Sequence, residues 1–136
     1  MAFKFPDKDP DERLDYTVDW SRFLSTGESI DTSTSGTNPS VWKIQKADGS
    51  FVEFAPDKSF EGDAVVNNTG STTGLTLLSS SFTGNGGTRA TIVLSKGIAN
   101  TSYRLLCQIR ITNGSDAEAD RLVTNREINL RVRERS

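Results

Sequence analysis

Leu94-Ser95-Lys96-Gly97-Ile98-Ala99-Asn100-Thr101-Ser102-Tyr103-Arg104-Leu105 is the stretch that decides how this chain folds. A β-branched run, Ala90-Thr91-Ile92-Val93-Leu94, leads into it, and a second strand starts at Tyr103. The polar turn between them holds Gly97, Asn100 and Thr101. Apolar runs punctuated by Gly and Asn are strand and turn signals. Antiparallel β-sandwiches cross from one sheet to the other at such corners, and a Tyr early in the second strand anchors the corner through its hydroxyl. Tyr103 is therefore predicted to be a fold anchor.

The same period-two pattern continues on either side. Leu14, Tyr16, Val18 and Trp20 alternate with polar residues and predict a half-buried strand, with Trp20 as a second anchor. Residues 41–45 and 51–54 flank Asp48-Gly49, a strong hairpin signal. Further strands are predicted over 64–66, 75–79, 89–95, 102–112 and 121–133, and residues 25–40 read as a loop or as a weak strand near 28–31 followed by a loop. Gly84-Asn85-Gly86-Gly87 predicts a flexible hairpin turn. It lacks the following helix and the Lys-Ser/Thr ending of a phosphate loop. No long helix is predicted. The expected fold is all-β, an immunoglobulin-like antiparallel β-sandwich of about seven strands over residues 14–136, with an extended N-terminal arm over residues 1–13.

A chain of 136 residues suits one domain, and an apolar content of 34% gives it a modest core that would gain from neighbours. No apolar stretch approaches the ~18 residues of a membrane span. Residues 1–7 lack the apolar core of a signal peptide, so the chain is expected to stay in the cytosol or to leave by a route its sequence does not encode. The single Cys107 precludes an internal disulfide and sits in an apolar strand, as a buried small hydrophobe would.

Chemistry is excluded more readily than assigned. The chain has no His, which removes Ser-His-Asp and Cys-His nucleophiles, His-ligated zinc and imidazole proton shuttles. Asp7, Asp9 and Asp11 alternate like calcium-loop ligands, but the glycine and the closing Glu of such a loop are missing. Asp116, Glu118 and Asp120 are expected to form a solvated hairpin connection. No catalytic residue, cofactor or metal ligand is assigned.

Charge is concentrated at the ends. Residues 1–20 hold six acidic and three basic residues (net −3), while 121–136 hold five Arg and two Glu (net +3). These ends can pair within a protomer or head-to-tail between protomers. Phe3 and Phe5, with Asp9, Asp11 and Glu12, make the arm a candidate interface, since alternate aromatics in an extended segment face one way. Arg126, Arg131, Arg133 and Arg135 make the last strand the complementary one. Without interleaved aromatics this series does not suit a single-stranded nucleic acid, and no nucleic-acid partner is expected.

Two segments together resemble a known family. Lys8-Asp9-Pro10 followed by Asp15-Tyr16-Thr17-Val18-Asp19-Trp20, and the corner Leu94-Ser95-Lys96-Gly97 with Tyr103, are similar to the bacteriophage fiber–tail adaptor proteins. That family carries D-Y-x-x-D-W near the N-terminus and L-S-G-G-x-x-G-x-x-Y in an immunoglobulin-like C-terminal half. Lys96 and Asn100 stand where the pattern has glycine. The resemblance implies a non-enzymatic virion protein at the tail or neck, assembled in the host cytoplasm. It would join fiber or collar proteins to the tail as a homo-oligomeric ring. The alternatives are an immunoglobulin-like recognition module, binding carbohydrate or host surface through loops 31–40 and 67–73 with Trp42 as its exposed ring, and a capsid decoration protein.

Overall fold

Period-two patterning produces two β-sheets that share one hydrophobic core. The computed structural model describes residues 3–134, the side chains of Phe3 and Glu118 excepted. The first sheet is organised by β10 (Thr101–Thr112). It pairs antiparallel with β11 (Val123–Val132) on one side, and with β4 (Val41–Gln45) and then β3 (Ser29–Ile30) on the other. The β5 strand (Phe51–Glu53) adds to β4, and β1 (Phe3–Lys4) lies parallel to the outer edge of β11. The second sheet runs in the order β2 (Arg13–Asp19), β9 (Arg89–Ser95), β8 (Leu75–Thr83), β6 (Lys58–Glu61) and β7 (Ala64–Asn67).

Among the described residues there are eleven strands, against about seven expected. The unforeseen ones are short. β1 has two residues, and β6 is masked in the sequence by Lys58 and Glu61 although Ser59 and Phe60 between them are buried; β3, also of two residues, follows the strand reading of residues 28–31. The Asp48-Gly49 hairpin forms as expected, with Gly49 at φ +91° and Lys46 N–H donating to Ser50 O at 2.7 Å. The glycine-rich connection of β8 and β9 is a single helical turn, Gly84–Gly87, in which Asn85 and Gly86 take φ of +50° and +74°.

Stripes predicted to be apolar face the core. On β11, Ile128, Leu130 and Val132 are fully buried while Arg131 is exposed. Tyr16 and Val18 on β2 and the adjacent Trp20 are buried too. Each large side chain so removed from water contributes roughly 1.5–3 kcal/mol.

The corner closes on Tyr103. The Tyr103 hydroxyl accepts from Ile98 N–H at 3.1 Å, and its buried ring meets Phe60 edge-on at 6.3 Å. Lys96, Gly97 and Asn100 take φ of +58°, +109° and +62°, so the left-handed backbone that favours glycine is kept at both positions departing from the family pattern. Gly97 is also crowded, because a Cβ there would lie 2.9 Å from Val132 Cγ2.

Candidate assembly surface

Residues 3–8 and the last strand meet on one edge of the first sheet. Phe3 and Lys4 are in register with Ile128 and Asn129 of β11. Beyond that pair, Phe5 N–H donates to Asn129 O at 2.9 Å, Lys8 N–H to Arg131 O at 3.0 Å, and Arg133 N–H to Lys8 O at 2.9 Å. The acidic arm and the basic strand are thus paired within one chain, with Arg133 Nη1 3.3 Å from Asp7 Oδ2. Phe5 is buried, stacked on Tyr16 with ring centroids 4.4 Å apart. Serving as an anchor for a neighbour would require Phe5 to leave this seat.

Lys8 is the residue that local sequence signals concealed. Its side chain is fully buried, and Nζ donates to Lys96 O at 2.6 Å and to Asp9 O at 2.9 Å. The K-D-P segment is therefore fastened directly to the corner. Around it Asp9 and Glu12 close a reciprocal turn. Asp9 N–H donates to Glu12 Oε1 at 2.8 Å, Glu12 N–H to Asp9 O at 3.0 Å, and the exposed Asp11 donates its N–H to Asp9 Oδ1 at 2.9 Å. This is the logic of a capping box used to fold an arm back.

Burial lowers the Lys8 ammonium to about 8, against the opposing pull of Glu12, Asp9 and Asp11. The unfolded chain therefore holds more protons between pH 8 and the ordinary value of 10.5, and this group makes stability rise with pH across that window. Lys8→Met should abolish that rise between about pH 7 and pH 9, and orphaning two carbonyls should cost roughly 1–3 kcal/mol. Denaturant titrations of both proteins at the two pH values check it; equal slopes would count against the burial of Lys8. The window stops at 9 because Cys107, pushed up to about 12 by burial, acts with the opposite sign above that.

The remaining arginines diverge. Arg126 lies over the Trp20 ring, 4.3 Å from its centroid, and donates to Asp19 O at 3.5 Å. Arg131 is exposed and donates to Ser102 Oγ at 3.4 Å. Arg135 lies outside the described residues. Tyr103 and Trp20 are both inside the core.

A second polar centre was not foreseen. β10 is buried from Leu105 to Ile111 because residues 33–40 fold over its outer face. Arg110, fully buried, donates from Nε to Asp31 Oδ2 at 2.6 Å, from Nη1 to Thr37 O and from Nη2 to Ser33 O, both at 3.1 Å. Arg121 reaches the same Asp31 oxygen at 2.6 Å, and Gln108 Nε2 donates to Pro39 O at 2.9 Å. The sequence signal was an arginine between Ile109 and Ile111. Trp42 overturns another expectation. It is only 2% exposed and stacks near Phe82, so its ring offers no platform to a sugar.

Residues 8–53 match the family model described as podophage GP4 fiber-tail adaptor protein gp77. The match begins at Lys8 and runs through the D-Y-T-V-D-W strand, the 31–40 loop and the β4–β5 hairpin. It supports the resemblance seen in the N-terminal motif and carries it into a segment the motifs did not reach; the corner lies outside it. No curated protein and no solved structure matches the chain.

Proposed function

We propose that this chain is a non-enzymatic structural adaptor of a tailed-phage virion, joining fiber or collar components to the tail or neck through ring-type contacts between copies. The sandwich, immunoglobulin-like in its corner and its Tyr103 anchor, serves as a rigid spacer. The match of residues 8–53 to a fiber-tail adaptor family carries this reading. Two features agree with it. The pinned 31–40 loop is a fixed surface within the matched span, held by three donors from Arg110. The second is the absence of His from the sequence, which leaves acid–base chemistry few candidates. With Trp42 buried, carbohydrate recognition has lost the side chain that favoured it.

The test is co-purification of the full chain with the tail and fiber proteins encoded beside it. Stable complexes with one of each are expected. Binding only to capsid protein would move the chain to head decoration, and a glycan-array signal without tail binding would make it a recognition module.

A further inference from the structure

We propose that the arm, residues 3–12, is exchanged between copies of this chain, so that Phe5 and Lys8 of one copy fill the β11 edge and corner of the next. The proposal rests on the ring-type assembly proposed above and specifies what joins its members. The arm is held by a set of contacts that is complete in itself. It comprises the parallel pairing of Phe3 and Lys4, the Phe5–Tyr16 stack, two Lys8 Nζ bonds and the Asp7–Arg133 ion pair. Apart from the Lys8 bond to its neighbour Asp9, the partners of these contacts lie on the body, at Tyr16, Lys96 and residues 128–133. An arm from a second copy satisfies them equally, since the seat does not distinguish whose arm occupies it.

The connection permits the exchange. Only residues 9–12 separate the buried Lys8 from β2, and they are closed into a turn by Asp9 and Glu12. Opened to an extended chain, four residues span about 14 Å. Pro10 within them has no N–H to give up and favours the extended form. The occupant is also dictated from the other side. Without an arm, β11 presents an unpaired edge, and Tyr16 and the corner lose their cover, which a β protein avoids leaving exposed. Each copy gives one arm and receives one, a heterologous contact that closes into a ring.

The paired positions Lys4 and Asn129 provide the test, being in register and off the core. A full-length Lys4→Cys/Asn129→Cys protein is oxidised at high concentration and run on a non-reducing gel, with Cys107 fully buried and out of reach. Exchange predicts a ladder of covalent multimers that collapses on reduction. Monomers alone, with the cysteines joined within a chain or still free, would overturn it. Deleting Pro10 and Asp11 gives an independent measure if the cysteines disturb folding. The shortened link should drive the chain into oligomers by size exclusion, and a monomer at the same concentration would overturn the proposal. Both readouts concern this chain alone, so a failure to bind tail or fiber proteins refutes the adaptor reading separately.

Discussion

Asp31→Ala is expected to cost about 3–5 kcal/mol, because it strands a buried cation. Arg110 is fully buried and Asp31 is the carboxylate facing its Nε at 2.6 Å; Arg121 converges on the same oxygen. The carbonyls of Thr37 and Ser33 would remain as acceptors, but they carry no formal charge. Against a total stability of about 5–15 kcal/mol for a domain of this size, the loss is severe. Arg110→Met combined with Asp31→Leu should recover most of it, since replacing a buried ion pair by apolar groups is often neutral or stabilising. Denaturant unfolding of the three proteins decides the matter, and an Asp31→Ala cost below about 1 kcal/mol would mean that water reaches Arg110. The pH dependence has a definite sign. Burial raises the Asp31 carboxyl, but Ser33 N–H, Arg121 and Arg110 together outweigh it and hold it below the usual range. Its contribution is therefore complete above the ordinary carboxylate value and is lost as pH falls through the depressed one.

Trp20→Ala comes second, at about 3–5 kcal/mol for a large aromatic removed from a packed interior. Trp20 is 1% exposed, its backbone N–H donates to Thr88 O at 2.8 Å, and Phe23 meets its ring edge-on at 5.7 Å. Arg126 covers its outer face, adding a cation–π contact of roughly 0.5–1 kcal/mol. Arg126→Ala should thus cost far less than Trp20→Ala, and Trp20→Phe should fall between them. Thermal unfolding of the three variants gives the ranking. A larger loss for Arg126→Ala would show that the strand is held by charge and not by the ring.

These two sites differ in how visible they were. Trp20 announced itself, closing an alternating stripe with Leu14, Tyr16 and Val18, and such a stripe must face a core whatever the topology. Asp31 and Arg110 did not. They are 79 residues apart, and Asp31 follows Ile30 in a Ser-, Thr- and Gly-rich segment that reads as a loop or as a weak strand followed by a loop. The arm divides in the same way. Phe3 and Phe5 were visible as an apolar pair on a charged tail, while the Lys8 ammonium, 88 residues from Lys96, read as one more solvated charge.

Read alone, the chain carries the two-sheet character, the Leu94–Leu105 turn between two strands, and the buried stripes of β2 and β11. Those follow from period-two alternation and turn chemistry, which act between residues a few positions apart. Which charges are buried, and that residues 3–8 cover the β11 edge, is set by long-range packing. A lysine or arginine on a strand has the same local propensity whether it faces water or a loop folded over it. The difference is made by desolvation and by carbonyls brought in from distant parts of the chain.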